Sequence, residues 1–217
     1  MGKLFSPRAV IFDLDGTLID SREDIAAACN HALVSHGRAP LPVETVRTFV
    51  GDGARVLLAR AFDVPAKSAE LDGPLTAFHA YYQAHPAVYT VLLPGALEVL
   101  DALAPVPIGL ATNKPRTTTL LVLEAIGLLP RFAAIAAGGD GPLKPDPSSI
   151  HAVLKTIGER PEASWVVGDG PQDVGAGRAA GCATIGVLDG FVDSARLRAA
   201  EPDVIVASLY ELLALLV

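Results

Sequence analysis

The sequence predicts an α/β protein: a doubly wound, Rossmann-like parallel sheet with an all-helical segment inserted after its first strand. Three observations carry this. Short apolar runs recur and end on polar residues: Ala9–Phe12 runs into Asp13, Pro107–Ala111 into Thr112-Asn113, and Ser164–Gly168 into Asp169. Runs of this length without alternation read as strands buried on both faces. Stretches with helical spacing separate them, and strands alternating with helices give a parallel sheet. Residues 20 to 87, by contrast, hold helical patterns and no strand candidate.

The first strand ends in Asp13-Leu14-Asp15-Gly16-Thr17. Alternate residues on a strand share a face, so Asp13 and Asp15 start on the same side. Two carboxylates in one place repel unless a cation holds them. The alternative is a pair of turn aspartates capping the next helix, because Asp-Gly-Thr is good turn chemistry. Ser21 with Asp24 resembles a capping box, with Asp in place of Glu. It opens a helix from about Glu23 to His36, with Ile25, Cys29, Ala32 and Leu33 at helical spacing and Gly37 as the stop. Pro42 sits in the first turn of a second helix. Phe49 to Arg55 breaks that helix and opens a third, reaching about Phe62, and a fourth helical region lies between Pro65 and His85.

Leu93-Pro94-Gly95 is a turn, and a short helix spans Ala96 to Leu103. Then come a strand at Pro107–Thr112, a helix at Arg116–Ile126 stopped by Gly127, and a strand at Ala133–Ala137. A loop through Lys144-Pro145-Asp146-Pro147 leads into a helix at Ser148–Ile157. After the run ending at Asp169 follow a helix at Asp173–Ala180, strands at Cys182–Val187 and Val204–Val206, and a helix at Leu209–Leu216. Residues 1–19 and 88–217 would form the sheet core, and 20–87 a helical cap above the strands' carboxyl ends.

The chain has 217 residues, 51% hydrophobic and 19% charged, enough to bury a core and too apolar for bulk disorder. Its net charge of −7 argues against a nucleic-acid or anionic-membrane partner, so an anionic substrate would be held by local cations. Cys29 and Cys182 lack metal-type spacing and read as core thiols in a reducing cytoplasm. The opening Met1–Arg8 leads into Asp13 too soon for a signal peptide, and no apolar stretch is long enough to span a bilayer. The expectation is a cytoplasmic monomer or homodimer.

In a parallel α/β sheet, ligands bind outside the strands' carboxyl ends. Asp13, Asp15, Thr112, Asn113 and Asp169 fall there, and Lys144 lies in a loop after such a strand. Asp13 and Asp169, with waters, suit Mg²⁺, a hard cation that keeps part of its hydration. Lys144 and the Thr112 hydroxyl suit a phosphate or developing oxyanion. One carboxylate can attack phosphorus while its neighbour exchanges protons with the leaving oxygen and then with water. No Ser–His, Cys–His or Gly-x-Ser-x-Gly signal supports acyl transfer. Singly, each member has another reading: Thr112-Asn113 as a helix cap, Lys144 as a solvated loop lysine, Gly168-Asp169-Gly170-Pro171 as a turn.

These motifs, in this order, resemble the haloacid dehalogenase superfamily, and within it the phosphoglycolate-phosphatase-like phosphatases with a small helical cap. Asp13-Leu14-Asp15-Gly16-Thr17 resembles the first family motif, Ala111-Thr112-Asn113-Lys114-Pro115 the second, Lys144-Pro145 the third, and Gly168-Asp169 with Asp173 the fourth. Ala176, Ala179, Ala180 and Gly181 also follow the family's pattern. The resemblance implies Asp13 as nucleophile and Asp15 as general acid/base. It implies that Thr112, the Asn113 backbone amide and Lys144 hold phosphoryl oxygens. Mg²⁺ would be bound by the Asp13 carboxylate, the Asp15 backbone carbonyl and Asp169. Asp173 would be a further ligand or a partner of Lys144. Gly170 departs from the Ser or Thr common there.

Within the family, an acid at position 15 favours a phosphatase over a dehalogenase, and Thr17 disfavours a mutase. A phosphonatase needs a cap lysine, and Lys67 is the only one between 20 and 87. Val50-Gly51-Asp52-Gly53-Ala54-Arg55 resembles the cap loop of phosphoglycolate phosphatases. Its glycines expose amides before a helix, and Arg55 would reach a substrate carboxylate; the alternative is a helix–helix turn with a surface arginine. The implied activity is Mg²⁺-dependent hydrolysis of a small phosphorylated metabolite, phosphoglycolate first. A pyrophosphatase, a nucleotidase or a sugar-phosphate phosphatase are alternatives, with a receiver-like signalling domain or an inactive relative further off.

Overall fold

The structure is a computed structural model and describes residues 5–216. Residues 1–4, part of the opening read above as too short for a signal peptide, lie outside the described residues. Strand β1 (Ala9–Phe12) is fully buried. It is followed by β2 (Ile19–Asp20), α1 (Arg22–Ser35), α2 (Val43–Arg47), α3 (Ala54–Phe62), α4 (Asp72–Ala84) and β3 (Val91–Leu92). The rest alternates: α5 (Ala96–Ala102), β4 (Ile108–Pro115), α6 (Arg116–Ala125), β5 (Ala134–Gly138), α7 (Ser148–Ile157), β6 (Ser164–Gly168), α8 (Pro171–Ala180), β7 (Ala183–Val187), α9 (Ser194–Ala199), β8 (Val204–Val206) and α10 (Leu209–Leu213).

The six-stranded sheet has the order β5-β4-β1-β6-β7-β8 and is parallel throughout. Val10 lies opposite Ile108 on β4 and Trp165 on β6. The chain moves outward from β1 through β4 to β5, then returns to the other flank of β1 and continues through β6, β7 and β8. The order reverses at β1, so the crevice outside its carboxyl end is where such a sheet binds ligands. Side chains alternate between faces. Val10, Phe12, Leu110, Trp165 and Val167 join a core that also takes in Ile25, Leu33 and Leu58 of the helical segment. Ala9, Ile11, Ala111 and Val166 face Ile150, Val153 and Leu154 of α7 and Ala176 of α8. No helix among the described residues is long and apolar enough to cross a membrane.

Three departures from the sequence reading matter for the site. The stretch from 20 to 87 is not purely helical, because Asp20 pairs antiparallel with Val91 and Ile19 with Leu92, forming a two-stranded ribbon where the chain enters and leaves the helical segment. Ser21 and Asp24 do not form a capping box, and α1 has no side-chain cap. The Ser21 hydroxyl donates to Asp15 Oδ1 at 2.5 Å, while Asp24 accepts from the Tyr89 and Thr90 amides and the Thr90 hydroxyl. Finally, β4 runs on to Pro115, past the expected end at Thr112. The register against β5 slips between Ala111, opposite Ala136, and Pro115, opposite Gly138. Four steps on β4 match two on β5, so Thr112, Asn113 and Lys114 leave the ladder, as bulges do where side chains are re-aimed.

Candidate active site

Asp13 follows β1 directly, and its carboxylate accepts from Lys144 Nζ at 2.8 Å. Lys144 also donates to Asp173 Oδ1 at 2.5 Å and to the Ala111 carbonyl at 2.6 Å, which uses all three of its N–H bonds. Burial opposes the ammonium form of Lys144, but Asp13 and Asp173 outweigh it and raise its pKa. Asp173, in the first turn of α8, accepts from the Gly170 amide through its other oxygen. Asp169, just beyond β6, accepts from the Phe191 and Val192 amides through Oδ2. Burial, with Asp173 and Asp13 nearby, raises the Asp169 pKa well above the usual carboxylate range despite those amides. Burial likewise raises Asp13 to about 6, helped by Asp173 and Asp15 and opposed by Lys144. Gly16 is required here on two counts. Its φ is +82°, and a Cβ there would lie 2.4 Å from Asp169 Oδ2.

Asp15 does not share the counter-charge of Asp13. The chain turns after Asp13, and Asp15 meets Lys114, whose Nζ lies 2.9 and 3.1 Å from its two carboxylate oxygens. Lys114 also donates to the Tyr82 hydroxyl of α4 at 2.7 Å and sits 4.4 Å from that ring's centroid. Burial disfavours its charge, but Asp15 and Tyr82 together raise its pKa. Burial pushes the Tyr82 phenol up to about 12, so it keeps its proton near neutral pH. The pair that sequence alone brings together thus has one ammonium for each carboxylate.

Between the sheet edge and the helical segment lies a cleft of about 580 Å³, its open mouth included. Asp13, Asp15, Thr112, Asn113, Lys114 and Asp169 line one wall, and Gly51, Gly53, Leu57, Phe78 and Tyr82 the other. Lys144 is not among the lining residues and sits behind Asp13. The Thr112 hydroxyl accepts from the Lys114 amide at 3.2 Å. Asn113 ties three segments together: Nδ2 donates to the Gly51 and Lys144 carbonyls, and Oδ1 accepts from the Lys144 amide. Arg55 does not reach the site. Its guanidinium is used within the helical segment, on the Ala66 and Ser68 carbonyls and Asp72. The carboxylate expected from a substrate is supplied by the chain itself.

Residues 7–181 match the family described as haloacid dehalogenase-like hydrolase. The chain belongs to this family. Among proteins similar to this hydrolase, phosphoglycolate phosphatase of Agrobacterium fabrum is 37% identical over 93% of this chain and 88% of its own length. That of Chromobacterium violaceum is 36% identical over 95% of this chain and 96% of its own. The crystal structure of a protein from Haemophilus somnus, described as a predicted phosphoglycolate phosphatase, superposes with a TM-score of 0.87 at 27% identity, covering 97% of this chain and 98% of that one. Membership in a hydrolase family favours an enzyme over the receiver-like reading.

The acidic cluster of this hydrolase fits a metal. One oxygen from each of Asp13, Asp169 and Asp173 lies within 4.8 Å of the others, and all three residues are buried. Among the described residues, Lys144 is the one ammonium paired with them, leaving two negative charges uncompensated. Buried charge of that size needs a cation or protons. An all-oxygen donor set suits a hard divalent ion. Both oxygens of Asp173 are already occupied, by Lys144 and the Gly170 amide.

The sequence places Lys114 within the second motif without a role and Tyr82 within the fourth helical region, and it gives Gln172 no role. Gln172 lines the cleft, and its carboxamide fills the space beside Gly170: a Cβ at 170 would lie 2.2 Å from Gln172 Nε2. The space beside Gly170, where Ser or Thr is common in the family, is thus taken by the Gln172 side chain. A lysine beside a known motif position was the available signal for Lys114. For Tyr82 and Gln172, nothing local distinguished a site residue from a core aromatic or a helix surface amide.

Proposed function

We propose that this hydrolase is a Mg²⁺-dependent phosphatase that transfers the phosphoryl group of phosphoglycolate to Asp13 and then to water. The observation that carries the reading is the pair of carboxylates at the end of β1, each with its own lysine: Asp13 on Lys144 and Asp15 on Lys114. They face one cleft in different surroundings, which suits two roles. Asp13 attacks phosphorus, the bond to the leaving oxygen breaks, and Asp15 protonates that oxygen. Asp15 then takes a proton from water as water attacks the aspartyl-phosphate. The Thr112 hydroxyl and the Asn113 backbone amide hold phosphoryl oxygens, and Lys144 fixes Asp13 and sets positive charge behind the phosphoryl group. Asp13, Asp169 and the Asp15 backbone carbonyl would hold Mg²⁺, with Asp173 holding Lys144. When bound, the ion screens the repulsion between nucleophile and substrate.

In this reading residues 20–87 act as a cap over the core formed by 1–19 and 88–217. Gly51 and Gly53 carry the cap's loop to the cleft, where they help bind substrate. The substrate class follows the names of the relatives. The protein would work in the cytoplasm, as a monomer or homodimer. The test is phosphate release with Mg²⁺ across phosphoglycolate, pyrophosphate, nucleoside monophosphates and sugar phosphates. The expected result is the highest kcat/KM on phosphoglycolate. Equal or better turnover of another class would replace the substrate, and no release from any would overturn the reading.

A further inference from the structure

A phosphatase of this kind must recognise the part of the substrate that leaves, and two obvious cations are excluded because neither lines the cleft. Arg55 is held by the Ala66 and Ser68 carbonyls and Asp72. Lys144 lies behind Asp13 and does not line the cleft. Among the described residues, Lys114 is the one cation that lines the cleft. It contacts both oxygens of Asp15. If Asp15 serves the leaving oxygen, a group one or two bonds beyond that oxygen lies beside Lys114.

Tyr82 completes the arrangement. Its side chain is buried and also lines the cleft. Its oxygen accepts from Lys114 Nζ at 2.7 Å. No acceptor for its own O–H proton is present among the described residues, so a buried phenol holds a spare donor next to an ammonium. Elsewhere this wall is apolar, with Leu57 and Phe78. Low polarity strengthens a charged contact and penalises a neutral or mismatched one.

We propose that Lys114 and the Tyr82 hydroxyl form the receptor for an anionic carboxylate on the leaving group, and so determine specificity for a carboxylated phosphomonoester. This rests on the phosphatase reading above and deepens it. Lys114 comes from the bulge of β4 and Tyr82 from α4. The receptor therefore has one half on the sheet and one on the helical segment, and it is complete only when the two are together.

The test compares phosphoglycolate with ethyl phosphate, which has a similar size and no carboxylate, in wild-type protein, Lys114→Met and Tyr82→Phe. Lys114→Met also removes the partner of Asp15, so both substrates suffer and the ratio of their kcat/KM values is the readout. Charge-assisted hydrogen bonds are strong enough that this ratio should fall about tenfold or more in Lys114→Met, chiefly through KM for phosphoglycolate. Tyr82→Phe keeps the ring and should lower the same ratio about threefold or more. Lys114→Arg should recover part of the preference. Equal losses on both substrates in Lys114→Met would reduce Lys114 to a support for Asp15 and overturn the inference. An unchanged ratio in Tyr82→Phe would overturn it too, and this variant serves should Lys114→Met fail to fold. If the wild type hydrolyses neither ester, the phosphatase reading fails first; if it hydrolyses both with a ratio indifferent to Lys114, only the receptor fails.

Discussion

At the scale of single residues, the site is an excess of buried negative charge held in place by a few donors. Asp13, with a pKa raised from 3.8 to about 6, shows the consequence. Between those two pH values the folded chain binds a proton that the unfolded chain releases. A raised carboxylate therefore makes stability fall as pH rises through that window, and the deficit persists above about 6. Asp169 shifts in the same direction. A divalent ion that takes the place of these protons removes the penalty, and it binds only where the protons have left. Saturating Mg²⁺ should therefore raise Tm by at least about 3 °C more at pH 7.5 than at pH 5. Thermal unfolding followed by fluorescence at the two pH values measures this. An equal gain at both would mean that these carboxylates do not bind the ion.

At the scale of elements, the strands were legible and their partners less so. Runs such as Ala9–Phe12 and Ser164–Gly168 are buried on both faces, and that uniform burial is what their unbroken apolar pattern encodes. The ribbon of β2 and β3 was not legible, because two residues carry no period. Nor was α9, although Asp193 caps it on the Ala195 amide. Ser21 and Asp24 have the spacing of a local cap, but both are used by groups elsewhere, Asp15 for one and Tyr89 and Thr90 for the other. Asp24 is buried and holds the chain where it leaves the helical segment. Asp24→Ala leaves three donors unpaired and should cost about 2–3 kcal/mol, read as a lower midpoint in urea. A cost under about 0.5 kcal/mol would mean that water replaces it. Arg55, which sequence placed on a substrate, is a staple within the helical segment. Arg55→Ala should lower stability by about 1 kcal/mol and change KM for carboxylated substrates less than about twofold. A KM rise confined to such substrates would return Arg55 to the site.

At the scale of the whole molecule, the order of polar residues along the chain made the candidate site readable, because a parallel sheet delivers its strand ends to one edge. Asp13, Thr112 and Asp169 come from β1, β4 and β6, neighbours in the sheet order that are far apart in sequence. From the helical segment, the Gly51–Gly53 loop was readable as facing that edge, whereas the contacts made across to it were not. The contacts of Tyr82 with Lys114 and of the Gly51 carbonyl with Asn113 depend on how the two parts meet. The central claim concerns the first of these strand ends: Asp13 carries the phosphoryl group between substrate and water. Asp15→Asn should slow the second step more than the first when the leaving group is good. The decisive measurement is mass spectrometry of that variant, acid-quenched during turnover of p-nitrophenyl phosphate with Mg²⁺. The account predicts one phosphoryl group on the peptide containing Asp13, released by hydroxylamine and absent when Asp13→Asn is added. A phosphoryl group on any other residue, or none while nitrophenol is still being formed, would contradict it.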